Sequence, residues 1–179
     1  MSRKILIIDG SPRRGGNTDI LCDSFATGAR ENGSEVETIY PSRMKIAYCT
    51  GCDRCIETGR CVHKDDMEEV RDKMLSADII VFAAPVYFYT IPAQIKVLID
   101  RMVPFYQKVT GKDIYIMVCA ADPNDGLLEL AVEAFRGLTR DCMEGCTEKG
   151  TLKATGVWKK GEVSGTEFPD MARKMGRSA

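Results

Sequence analysis

Four cysteines stand close together at Cys49, Cys52, Cys55 and Cys61, in the pattern C-x2-C-x2-C-x5-C. Thiolates at this density hold soft metals or take part in redox exchange. Three cysteines at successive gaps of two, with a fourth nearby, is ferredoxin-like spacing. A short loop of this kind wraps a [4Fe-4S] cluster because each cysteine in the run reaches a different iron. Gly51 and Gly59 supply a permissive backbone. Two alternatives stay open: four thiolates are also a common structural zinc set, and the loop could be reduced and metal-free. His63, two residues beyond Cys61, is the single histidine and is assigned no role. Of the other cysteines, Cys22 and Cys119 read as small core hydrophobes, while Cys142 and Cys146 are one helical turn apart on a packed face.

A second constellation is Gly10-Ser11-Pro12-Arg13-Arg14-Gly15-Gly16-Asn17-Thr18. Glycines before a helix let the backbone wrap an anion, and the helix's first N–H groups donate to it. Ser11, Asn17 and Thr18 add neutral donors, and Arg13 or Arg14 adds a charged fork suited to phosphate. The dinucleotide pattern G-x-G-x-x-G is absent. The nucleoside-triphosphate pattern fails because Gly16 stands where its lysine belongs and Asn17 where its hydroxyl belongs. The loop therefore suits a monophosphate; a glycine-rich connector with solvated arginines is the plainer alternative. A third cluster, Pro85-Val86-Tyr87-Phe88-Tyr89, suits a flat heteroaromatic ring, with ordinary core packing as the plainer alternative.

These residues need a scaffold. Residues 4–9, 77–84 and 113–121 are short apolar runs rich in β-branched residues, which read as strands buried on both faces; 36–40 and 151–157 are two further strands. Helices are expected from Asn17 or Thr18 to about Asn32, from Asp65 with Glu68 completing a capping box, from Pro92, from Leu127 to Cys146, and from Glu167 to Met175. Met67, Val70 and Met74 line one helix face, and Ile95, Leu98, Ile99 and Met102 another. Residues 44–64 have little periodicity and read as a long functional loop. Strands alternating with helices predict an α/β three-layer sandwich: a flavodoxin-like five-stranded parallel sheet, order 2-1-3-4-5, with helices on both faces. Ligands of such sheets bind beyond the carboxyl ends of the strands, at the switch point flanked by the first and third loops.

Composition narrows the rest. The 179 residues fit one domain, 1–179, and 44% hydrophobic with 28% charged residues excludes wholesale disorder. A net charge of −1 gives no basic excess for nucleic acid or an anionic membrane. The apolar run Ile5–Ile8 is too short for a signal peptide, and no window approaches the ~18 apolar residues of a membrane span. A cytoplasmic location, where thiols stay reduced, is expected.

The segments Gly10–Thr18, Cys49–Met67 and Pro85–Arg101 together resemble the NADPH-dependent FMN reductase group of flavodoxin-like proteins, with the iron–sulfur flavoproteins as the most similar branch. The resemblance covers the first hundred or so residues; beyond them only the layout matches. It implies FMN, with Ser11, Arg13, Gly16, Asn17 and Thr18 in its phosphate loop and Pro85, Val86, Tyr87 and Phe88 against the isoalloxazine. It also implies a homodimer. The expected reaction carries electrons from NAD(P)H or a ferredoxin-type donor through flavin to an acceptor, with Cys49, Cys52, Cys55 and Cys61 as ligands of a [4Fe-4S] cluster. No catalytic side chain is required, because the cofactor carries the chemistry. Without a cluster, the expected reaction is hydride transfer from NAD(P)H to a quinone, a nitro compound or free flavin. A non-catalytic electron carrier and a zinc-bound regulatory module are the competing readings.

Overall fold

Residues 2–179 are described in the structure, a computed structural model of the chain. Five strands, β1 (Lys4–Asp9), β2 (Glu35–Ile39), β3 (Ile79–Pro85), β4 (Asp113–Cys119) and β5 (Thr147–Ala154), form one parallel sheet in the order β2-β1-β3-β4-β5. The helices are α1 (Asn17–Glu31), α2 (Arg54–Thr58), α3 (Met67–Ser76), α4 (Ala93–Asp100), α5 (Glu129–Thr139) and α6 (Phe168–Arg177). The flavodoxin-like architecture expected from the alternating elements is the one observed.

Period-two alternation explains why apolar runs make the central strands. Ile79, Val81 and Ala83 of β3 face Leu21, Phe25 and Ala172 on one side; Ile80, Phe82 and Ala84 face Val70, Leu98 and Phe135 on the other. On the first side α1 and α6 pack closely enough to require glycine: a Cβ on Gly28 would sit 2.0 Å from the Arg173 carbonyl oxygen. The other face carries α3, α4 and α5, with Met67, Val70, Met74, Ile95, Leu98 and Met102 buried as their spacing predicts.

Three local expectations are corrected. The helix expected over 127–146 is shorter: a 3₁₀ turn (Asp125–Leu128) leads into α5, which ends at Thr139. The Leu138 carbonyl takes the N–H groups of both Cys142 and Met143, and Gly145 turns the chain at φ +70° into β5. Cys142 is therefore exposed and Cys146 half-buried, not paired on a helix face. The capping box at α3 does not form. Asp65 accepts the Met67 N–H (3.2 Å), but the rest of its carboxylate is committed elsewhere. The cysteine segment also holds a short helix, α2, entered through Asp53 (φ +56°) and left through Gly59 (φ +68°).

Candidate functional site

Four strands end at one cleft. Beyond β1, β3, β4 and β5 the chain places Ser11, Arg13, Asn17 and Thr18; Pro85, Val86, Tyr87 and Phe88; Cys119, Ala120 and Ala121; and Val157 and Trp158 around a space of about 340 Å³. That volume is in the range of small-molecule sites. Backbone bonds stitch these ends together: Gly10 N–H donates to the Ala83 carbonyl (2.8 Å), Val86 N–H to Cys119 (2.8 Å) and Ala120 N–H to Ala154 (2.9 Å).

The glycine loop is shaped from beneath by two carboxylates. Asp9 Oδ1 accepts the Ser11 N–H (2.8 Å), and Asp19 Oδ2 accepts the Gly15 N–H (2.6 Å). Ser11 Oγ in turn accepts the Arg13 N–H (3.1 Å). Gly16 caps α1 and lies outside the cleft lining; a Cβ there would sit 2.8 Å from the Arg13 carbonyl oxygen, so the tight turn excludes any side chain. The first bond of α1 runs from Ile20 N–H to Gly16, which leaves the N–H groups of Asn17, Thr18 and Asp19 without helical partners at a positive helix end. Arg13 is exposed at the rim. This donor set fits a phosphate monoester.

The Asn17 side chain bonds within the protein, while its backbone N–H is among those left free at the start of α1. Its Nδ2 donates to the carbonyls of Val157 (3.3 Å) and Lys159 (3.0 Å), and its Oδ1 accepts the Val163 N–H (3.2 Å). Its side chain thus holds the segment after β5, which carries Trp158 into the cleft lining. Thr18 Oγ1 lies 3.1 Å from Cys119 Sγ on the cleft floor. Burial pushes the Cys119 thiol up to about 11, so the floor is neutral.

The aromatic loop forms a tight hairpin-like turn. Tyr87 N–H donates to Thr90 O (2.9 Å) and Thr90 N–H to Tyr87 O (3.2 Å), with Phe88 and Tyr89 both left-handed at φ +48° and +67°. Two bulky residues in that region store strain, a hallmark of functional sites. Phe88 is 98% exposed and Trp158 71%, two large apolar groups at the cleft mouth.

Cys49, Cys52, Cys55 and Cys61 line a separate hollow of about 60 Å³ together with Val62, His63 and Val103. All four are free thiols, and burial raises Cys55 above the usual thiol range. Among the described residues, no three His, Cys, Asp or Glu side chains are grouped to hold a metal ion. Two buried nitrogens beside Cys61, His63 Nε2 and Arg101 Nε, lack hydrogen-bond partners. Four thiols round one hollow are, by ligand type, a set that suits an iron–sulfur cluster or a zinc ion.

Sequence reasoning missed Trp158, Asp65 and Arg101 as site residues. Arg101 carried a signal: it falls three residues after Leu98, in line with the buried stripe of α4 just beyond its last residue, where a charge is out of place. Trp158 carried only a weak one, as the single tryptophan in a polar stretch.

An open parallel sheet in the order β2-β1-β3-β4-β5, with a glycine loop opening the first helix at its switch point, defines the flavodoxin-like class. Residues 3–136 match the model of the NADPH-dependent FMN reductase family, and the chain belongs to that family. It is 40% identical over 112 residues to an iron-sulfur flavoprotein of Archaeoglobus fulgidus (63% of this chain, 51% of that protein). It is 42% identical over 105 residues to one of Methanosarcina thermophila (59% and 55%). The match thus spans about half the length of these relatives. The structure of an NAD(P)H:quinone oxidoreductase from Methanothermobacter marburgensis superposes with a TM-score of 0.81 over 99% of this chain and 96% of that one, at 17% identity. That likeness establishes the shared fold. No helix among the described residues is long and apolar enough to cross a membrane.

Proposed function

We propose that this chain is an FMN-dependent oxidoreductase that takes electrons from NAD(P)H or a ferredoxin-type donor and passes them to an acceptor. The observation that carries this reading is the convergence of the glycine loop, the Pro85–Phe88 loop and Trp158 on one cleft at the carboxyl ends of the strands. The phosphate belongs against the free N–H groups of α1, Ser11 and Arg13, and the ring against Pro85, Val86, Tyr87 and Phe88. When bound, FMN supplies both hydride and single-electron chemistry. The protein's residues bind the phosphate, orient the ring and keep water from one ring face, so no side-chain acid or nucleophile is needed. Asn17 contributes by holding the Trp158 segment in place.

Cys49, Cys52, Cys55 and Cys61 are the proposed ligands of a [4Fe-4S] cluster, which would serve as a one-electron port. The relatives named iron-sulfur flavoprotein support this, as do the two unpartnered nitrogens beside Cys61. Eight free cysteines fit a reducing, cytoplasmic setting. The exposed Phe88, Tyr89 and Trp158 support pairing of two subunits over the cleft mouth.

An anaerobic visible spectrum with iron and acid-labile sulfide analysis tests both cofactors. Flavin bands with about four irons per chain, as the cysteine set implies, are expected. Flavin without iron points to the second reading, a cluster-free NAD(P)H reductase, which the family's description favours. A colourless protein that also fails to bind added FMN overturns the flavin assignment. Slow NAD(P)H oxidation with every small acceptor would instead indicate an electron carrier.

A further inference from the structure

We propose that Arg101 is the positioning residue of the cysteine loop: its guanidinium ties the two ends of the loop together and keeps its Nε–H for the sulfur of Cys61. The second half of this inference rests on the cluster reading above; the first half stands without it.

Arg101 follows the last turn of α4, is 2% exposed and is among the largest fully buried side chains of the protein. Its Nη1 donates to the Ala47 carbonyl (2.6 Å) and to Asp65 Oδ2 (2.8 Å), and its Nη2 donates to Asp65 Oδ1 (3.0 Å). Asp65 Oδ2 also accepts the Ala47 N–H (3.0 Å). Both polar groups of Ala47 are therefore held by one ion pair. Ala47 lies just before Cys49 and Asp65 just after Cys61, so the pair closes the loop at its base.

A buried ion pair is a poor route to stability, since well-packed apolar residues usually do as well or better. The charge needs another reason, and its surroundings supply one. Asp65 is saturated by Arg101, Ala47 and Met67, whereas Arg101 Nε is buried without a partner. Cys61 lines the same crevice as Arg101. A guanidinium N–H facing a metal-bound thiolate would orient that ligand and favour the more negative, reduced state of the cluster.

The test compares wild type with Arg101→Met, Arg101→Lys and Asp65→Asn, each reconstituted anaerobically with FMN, ferrous iron and sulfide. Retained FMN shows that the fold persists. Arg101→Met is expected to lose iron to a chelator roughly tenfold faster or more, the usual cost of removing a supporting contact at a metal site. Its remaining cluster should be reduced at a more negative potential, and Arg101→Lys should recover most of that shift. A loop that Arg101 merely stiffens would leave the potential unmoved. Trypsin should cut at Arg54 and Arg60 faster in Arg101→Met, with or without iron. Should Arg101→Met fail to retain FMN, Asp65→Asn, which weakens the same ion pair, is expected to show the faster iron loss and trypsin cleavage. Wild-type iron retention, potential and cleavage rate in Arg101→Met, or wild-type iron retention and cleavage rate in Asp65→Asn, overturn the proposal. If wild type takes up no iron, the cluster reading and the Nε–H role fall together; faster trypsin cleavage still sustains the loop-closing role, and an unchanged rate overturns that too.

Discussion

The carboxamide of Asn17 accepts the backbone N–H of Val163 at 3.2 Å, across 146 positions of sequence, while its NH₂ group holds the carbonyls of Val157 and Lys159. The first turn of α1 and the segment after β5 are thereby one unit. Asn17→Ala removes three hydrogen bonds and leaves their partners to find water. The fold is expected to lose about 1–3 kcal/mol in urea unfolding. FMN affinity is expected to fall as well, because Trp158 is no longer held at the cleft. Unchanged Trp158 fluorescence on FMN titration of the variant would show that the segment does not depend on Asn17.

Arg13 is the exposed cation of the glycine loop at the cleft. A charge-assisted bond to a phosphate is worth about 1.5–3 kcal/mol, so Arg13→Ala should weaken FMN binding roughly tenfold to a hundredfold. Riboflavin, which lacks the phosphate, should bind wild type and variant alike. Equal losses for both ligands would place Arg13 elsewhere on the flavin.

Asp9 is 1% exposed, and its Oδ2 has no partner. Burial pushes its carboxyl up to about 7, against the pull of the Ser11 N–H and with a further push from Asp19. The sign follows from proton counting. Between the ordinary value near 3.8 and about 7 the folded chain keeps a proton that the unfolded chain has released. The stability contributed by neutral Asp9 is thus full below that window and lost as pH rises through it. Asp9→Asn keeps an acceptor for Ser11 and removes the titration. It should flatten this part of the pH dependence and be more stable than wild type at pH 8 but not at pH 4, as read from urea midpoints of the FMN-free protein.

Phe88 and Tyr89 occupy left-handed backbone that glycine adopts freely. Each costs roughly 1–2 kcal/mol of strain. Phe88→Gly should therefore stabilise the fold or leave it unchanged, yet bind FMN more weakly by removing an apolar wall of the cleft. Thermal unfolding and FMN titration on the same variant separate the two effects. A destabilised variant would mean that the Phe88 ring, exposed as it is, packs in a way that outweighs its strain.

The sheet was readable because its evidence is local. Ile5–Ile8 and Ile79–Ala84 must be buried on both faces whatever surrounds them, and Met67, Val70 and Met74 share a face by helical spacing alone. Of the site, the glycine loop and the aromatic loop were readable by residue type, and the switch-point rule brought them to the same edge. The end of α5 was not readable, because residues 140–146 have enough helical character to continue, whereas the chain turns after Thr139, with Cys142 and Met143 both bonded to Leu138, and turns again at Gly145 before β5.

The sequence alone thus determined the strands of the sheet, the glycine loop and the placing of four cysteines on one loop, since each follows from spacing within about twenty residues. Tertiary structure decided what individual side chains do there. It tied the Asn17 side chain to a distant segment and made Trp158 part of the cleft. It also set Arg101 between Ala47 and Asp65. Hydrogen-bonding groups have several possible partners in a sequence; burial selects among them, because a donor shut off from water must pair with whatever the fold places beside it.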